Sequence, residues 1–216
     1  MASASTPGSE AVHAQLKHLY HTYRHTQHIP SKASFFSPTC MQVCRTIPSY
    51  AAVKRDTIIQ YLLEAAGFQD VESYERAQSS STTTASRAAE APDDEERRSA
   101  PVKVKALTGK SYYSIRPLNA TEESEVLPED VVAPLGMTPS QLNELRQTEN
   151  WVGMRVDLWE DNDNGDSAGA GRLIKVKYWW RQEHVDGELK WLQCLHDIMS
   201  IGERDGSEDK EGEVLE

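Results

Sequence analysis

A handful of side chains in this sequence have the types and spacing to work on a small organic molecule. In the run Leu189 to Ile201, the alternate residues Leu192, Cys194, His196 and Ile198 share one side of an extended chain, and the same period groups Ile174, Val176, Tyr178 and Trp180. Val152, Met154, Val156 and Leu158 make a third such set. His196, Tyr178 and Tyr113 are the polar-tipped members of this mostly apolar side, and Tyr20 and Tyr23 lie on the apolar stripe of an N-terminal helix. A histidine among tyrosines can exchange protons near neutral pH, while the hydroxyls orient a carbonyl or phenolic substrate. Such a group suits dehydration, cyclisation or isomerisation. The ligand-binding candidates are therefore Tyr20, Tyr23, Tyr113, Tyr178 and Trp180, and the catalytic candidate is His196. Asp197 alternates to the opposite side unless a bulge turns it inward, and is the reserve acid or base. The competing reading is a core histidine whose neighbouring tyrosines fill volume.

Other constellations yield to plainer readings. His18, His21, His25 and His28 recur at three- and four-residue steps, so an i, i+4 pair could hold a metal. This row lies opposite Leu16, Leu19 and Tyr23 on the helical wheel, which predicts a solvated face and no metal. Asp161, Asp163, Gly165 and Asp166 resemble the start of a calcium loop, but Gly171 stands where the bidentate glutamate is needed, so a hairpin loop is expected. Arg155 and Asp157 share parity with Lys175 and Lys177, which predicts cross-strand ion pairing. The sequence has no Gly-x-Ser-x-Gly elbow, phosphate-cradling loop, dinucleotide fingerprint or HExxH pair. Cys40, Cys44 and Cys194 are an odd number without a Cys-x-x-Cys pair, which speaks against a disulfide framework or a closed zinc site.

Periodicity also sets out the elements that must carry the candidates. A helix is predicted from Ala11 to about Gln27, then a short helical segment from Pro30 to Phe35-Phe36 that closes at Ser37-Pro38. Cys40 to Cys44 alternate as a strand, and Lys54 to Ala66 make an amphipathic helix stopped at Gly67. From Arg76 to Ala100 the chain is almost free of large apolar residues and reads as a disordered insertion. Order resumes near Val102, with Tyr113 and Ile115 on one face of a strand. Thr138-Pro139 looks like the cap and first position of a helix reaching about Glu149. Long strands follow over Trp151 to Trp159, Arg172 to Arg181 and Leu189 to Ile201, joined by the loop Asp161 to Gly171 and the turn Val185-Asp186-Gly187. The expected organisation is a disordered segment 1–10, one domain over 11–202 with the insertion 76–100, and an acidic disordered tail 203–216.

The segments FFSPTCMQVCR and SYAAVKRDTIIQYLLEAAG, with WVGMRVDLWED, GRLIKVKYWWRQE and LKWLQCLHDIMSIG, resemble the first strand, following helix and closing strands of the NTF2-like superfamily. Within it the chain resembles an uncharacterised fungal group of SnoaL-like proteins. The resemblance implies an α+β cone, in which a curved mixed or antiparallel sheet wraps N-terminal helices. It also implies a cofactor-free pocket for a small hydrophobic metabolite of polyketide or terpenoid type, as in secondary metabolism. Scytalone-dehydratase-like members use more than one histidine with tyrosines and a carboxylate, whereas one strand histidine stands here. The superfamily also contains non-catalytic interaction modules, so fold alone does not fix function.

The formal net charge of −11 opposes a large basic footprint, so neither nucleic acid nor an anionic membrane is an expected partner. With no long apolar run and no basic-then-apolar start in MASASTPGSE, the expected location is the cytoplasm, with nuclear access left open. Parity places Trp151, Trp159, Trp179 and Trp191 on the outer face of the sheet beside Gly153. So large an aromatic patch needs a cover, and a homodimer through this face is expected, in line with sheet-to-sheet pairing in NTF2-like proteins.

Overall fold

A computed structural model describes residues 7–82, 111–160, 172–207 and 213–215. The chain divides into two units, one of Met1–Ile59 with Thr108–Glu216 and one of Gln60–Leu107. The smaller unit takes up the end of α2 (Arg55–Ala65) and α3 (Val71–Thr82). Asp70 caps α3 by accepting the Ser73 amide at 2.7 Å, and Phe68 meets Tyr74 edge to face. α3 thus runs through the first residues of the stretch expected to be disordered from Arg76. The rest of that stretch, the region around Val102 and the loop Asp161 to Gly171 lie outside the described residues.

The larger unit is built on an open mixed sheet of six strands: β1 (Phe36–Cys44), β2 (Ser111–Pro117), β3 (Val152–Glu160), β4 (Arg172–Val185), β5 (Glu188–Glu203) and β6 (Glu213–Leu215). Their order is β1-β5-β4-β3-β2-β6, with β1 and β5 parallel and the other pairs antiparallel. Pro38, expected to close the preceding 3-10 helix Pro30–Phe35, lies inside β1. The strand tolerates it because β1 is a sheet edge and its register shifts between Phe36 and Met41. β4 and β5 pair up to Val185 and Glu188, so both outrun their expected ends. Asp186 and Gly187 have φ of 55° and 81°, the left-handed pair that a two-residue hairpin with matching twist requires. Part of the acidic tail is likewise ordered: β6 adds to the free edge of β2, pairing Leu215 with Tyr113.

α1 (Pro7–His25), which begins earlier than Ala11, packs on one face of this sheet and buries Leu16, Tyr20 and Tyr23. The opposite face holds Trp151 and Trp179, and there the expectation of an exposed aromatic patch is overturned. α4 (Ala120–Ser124), α5 (Glu129–Val132) and α6 (Pro139–Thr148) follow β2, and a second core joins Leu142, Val132 and Leu135 to Trp151, Trp179 and Leu195. Trp151, Trp159 and Trp179 are at most 5% exposed, so the chain itself covers the surface from which a homodimer was inferred. α4 and α5 escape a periodicity reading because each is a single turn, too short for a stripe to repeat. Thr138 and Gln141 form the reciprocal capping box that starts α6. Gly153 lets this cover close: a Cβ there would stand 2.3 Å from Leu118 Cδ1. Among the described residues no helix is long and apolar enough to cross a membrane.

Candidate functional site

The face under α1 gathers most of the expected site residues. Tyr20 lies 5.3 Å from Tyr113, 5.2 Å from Tyr178 and 5.7 Å from Tyr23, ring centre to ring centre, so the four tyrosines form one cluster. Tyr178 in turn meets His196 edge to face at 4.8 Å, and Phe36 closes on the same imidazole at 5.0 Å. The β4–β5 register, Tyr178 opposite His196, carries this juxtaposition. Trp180 is completely buried opposite Gln193, and among the described residues its ring meets none of the tyrosines and its Nε1–H has no hydrogen-bond partner. Burial raises the pKa of Tyr20, Tyr23 and Tyr178, with the charge of Arg24 acting against it, so all three hydroxyls keep their protons. The Tyr20 hydroxyl neighbours that of Tyr178 yet completes no hydrogen bond of normal geometry. A buried hydroxyl in that condition costs about 1–3 kcal/mol relative to a satisfied one.

His196 is held in a closed polar network. Gln42 is anchored by donating its amide to the Tyr50 carbonyl at 2.8 Å, and so presents Oε1 to His196 Nδ1 at 3.4 Å. Gln193 lies 2.7 Å from Nε2, and the Cys40 sulfur lies 3.8 Å away. Burial lowers the imidazole to about pKa 3, so the ring is neutral and has a single N–H for its neighbours. Donation from Nδ1 to Gln42, with the Gln193 amide turned to donate to Nε2, satisfies the ring and also the amide nitrogen otherwise left without a partner. The parity reading missed Gln193 because Trp179 pairs with Leu195 and Trp180 with Gln193, leaving Cys194 as an extra residue. That bulge turns Gln193 towards His196 and sends Cys194 into the opposite core.

Asp197 is not brought to this group. It faces the other side of the sheet, where its two oxygens take a bidentate pair of hydrogen bonds from Arg45 at 2.9 and 2.6 Å. Arg45 also binds Glu125, which with Lys177 makes a compact charged network. Arg45 and Lys177 hold Glu125 down to a pKa of about 2, against the opposing effect of its own desolvation. The expected cross-strand ion pairs are replaced by others. Asp157 stands opposite Lys175, yet Arg155 pairs with Asp157 along β3 and Lys175 reaches Asp205.

One functional candidate lies where solvent was expected. His21 Nδ1 is 2.6 Å from the Tyr113 hydroxyl, which ties an exposed imidazole to the buried cluster. Three residues on, Arg24 donates to Ser111 Oγ. Both flank the stripe that carries Tyr20 and Tyr23, and their positions next to those tyrosines are the signal that a row of four histidines obscures. Beside them an opening of about 90 Å³ is lined by Arg24, Arg172 and Glu160 with Ser111, Leu158, Trp159 and Ile174. A wider cleft, about 480 Å³, lies on the opposite face, where Arg146 stacks 3.8 Å over the Trp179 ring. Neither lining includes an aromatic site residue, but the smaller opening is bordered by Arg24 and Ser111, which flank Tyr23 and Tyr113 in the chain, whereas the lining of the cleft is largely polar and lies on the other side of the sheet.

This layout, helices with an open mixed sheet and an aromatic face under the first helix, can be compared with known proteins. The family model for the SnoaL-like domain matches residues 5–216. Neither a curated protein nor a solved structure matches the chain. With the family pattern running through nearly all of its length, the chain belongs to the SnoaL-like family.

Proposed function

We propose that the chain binds a small hydrophobic metabolite at the tyrosine face under α1 and converts it by acid–base chemistry without a cofactor, in the manner of a dehydratase, cyclase or isomerase of secondary metabolism. The observation that supports this most is the His21–Tyr113 hydrogen bond. It offers a proton route between solvent and the hydroxyl of a buried tyrosine whose ring packs on Tyr20. Tyr113 is the group that delivers or accepts the proton at the ligand, and His21 exchanges it with water. His196, neutral and enclosed, holds the Tyr178 ring in place and is a positioning residue in this reading. Ligand pockets commonly reach about 300–1,000 Å³, so a ligand entering beside Arg24 has to displace tyrosine rings. The Tyr20 hydroxyl would gain the partner it lacks.

The ring-to-ring packing of the cluster favours a second reading, a non-catalytic member of the fold that uses it as an interaction platform. Proton exchange separates the two. The protein is incubated with 2-tetralone in D₂O, and loss of the α-proton signal is followed by NMR. Wild type should accelerate exchange, and Tyr113→Phe should cut the rate by about 10²-fold or more. Exchange no faster than buffer, with no ligand-induced shifts at Tyr20, Tyr113 or Tyr178, refutes the pocket and leaves the platform.

A further inference from the structure

Many of the cations among the described residues are matched. Arg45, Arg116, Arg155, Lys175, Lys177 and Arg181 each sit within 4 Å of a carboxylate. The group at the mouth of the tyrosine face is different. Among the described residues Arg24 has no carboxylate partner, and its hydrogen bond goes to the neutral Ser111 hydroxyl. Lys32 donates to the Tyr23 carbonyl at 2.7 Å and lies 4.5 Å above the Tyr23 ring, again without a carboxylate. Arg172 lines the same opening as Arg24 and makes no ion pair among the described residues, and Glu160, which lines it too, pairs there with neither arginine.

These charges act on one another and on the cluster. Desolvation, then the field of Arg24, brings Lys32 down to about pKa 8, and the same guanidinium opposes the upward shifts of Tyr20, Tyr23 and Tyr178. Arg24 therefore stands where the tyrosine side chains, its neighbouring lysine and the opening meet. In a chain of net charge −11, a cluster of cations that find no carboxylate among the described residues, at the edge of an aromatic interior, is a place prepared for a negative group from outside. A guanidinium fork suits a planar carboxylate, and Leu158 and Ile174 offer apolar contact beside it.

We propose that the ligand of this face is an aromatic or polycyclic acid, whose apolar body meets the tyrosines and whose anionic group is bound by Arg24 with Lys32 and Arg172 around it. The inference rests on the reading that this face takes a small hydrophobic molecule, and two probes of nearly the same body keep the two claims apart. 1-Anilinonaphthalene-8-sulfonate carries an anion, and N-phenyl-1-naphthylamine does not. Dissociation constants are measured by fluorescence titration near 0.15 M salt, and binding is located from amide shifts at Ser111, Tyr113 and Tyr178. The anionic probe should bind about tenfold or more tightly than the neutral one, and Arg24→Gln should erase that advantage while leaving the neutral probe's affinity unchanged. Equal binding of both probes at this face, or an equal loss of both in Arg24→Gln, overturns the anion site and leaves the pocket standing. Failure of both probes to shift these amides removes the pocket and the anion site together. Should Arg24→Gln not fold, Arg172→Gln, at an exposed position, supplies the same comparison.

Discussion

Burial decides which histidine can trade protons with water. His196 is 4% exposed and surrounded by Phe36, Tyr178, Gln42, Gln193 and Cys40, so its charged form is strongly disfavoured. Its place on the aromatic side was legible from alternation alone, since the strand is regular between Leu195 and Ile198. Its neutrality was not legible, because that depends on enclosure by residues from β1 and β5 together. The consequence for stability has a definite sign. The folded ring titrates at about 3 against 6.5 for a free histidine, so between those values the unfolded chain binds a proton that the folded chain refuses. Stability is greatest above pH 6.5 and falls on acidification towards 3, by up to about 1.4 kcal/mol per pH unit from this residue. Glu125 acts in a lower window: its carboxylate, held at about 2 against 4.5, adds stability above 4.5 that is lost as pH falls through 2. Urea midpoints measured from pH 7 to 4.5 should therefore fall less in His196→Gln than in wild type. Glu125→Gln should keep the wild-type slope there and flatten the curve only below 4.5. A His196→Gln slope identical to wild type would show that the ring titrates normally and is open to solvent.

At the scale of elements, the long strands, α1 and α6 were readable, and the single-turn helices α4 and α5 were not. Three closing strands announce themselves by alternation and by the Asp186-Gly187 turn, and α6 by its Thr138-Pro139 start, whereas Leu118 to Leu135 carries its apolar residues in single-turn pieces. Its docking depends on Gly153, where Leu118 and the Trp179 ring fill the space that a side chain would take. Gly153→Ala should cost about 1–3 kcal/mol through overpacking, read as a lower urea midpoint. Adding Leu118→Ala to it frees Cδ1, the atom nearest to the new methyl, and should return part of the loss. Strictly additive losses in the double variant would mean that Leu118 does not seat over this glycine. The bulge at Cys194 is the second feature alternation could not supply. One extra residue reverses the facing of the strand before it, and nothing in a period-two pattern marks where that occurs.

For the whole molecule, the tryptophans bear on assembly as well as on stability. Four of them at one parity suggested an aromatic surface awaiting a second copy, but Trp151 and Trp179 lie in a core with Val43, Leu142 and Leu195 from the same chain. Arg146 adds a cation–π contact over Trp179, and Trp159 stacks on Tyr112 at 6.0 Å. Trp191 is only half-buried, too little to make a sheet-wide interface by itself. The two arrangements differ in how a substitution depends on concentration. If Trp179 held a dimer together, Trp179→Ser would yield folded monomers, and its effect would diminish as protein concentration rose. As a core residue 3% exposed, it should instead lose about 3–5 kcal/mol of folding stability, the same at 2 µM as at 50 µM. Chemical melts at both concentrations, with light scattering on the native samples, make the measurement. A folded Trp179→Ser monomer derived from a wild-type dimer would place the interface on this face after all, and would require α4 to α6 to lift from the sheet.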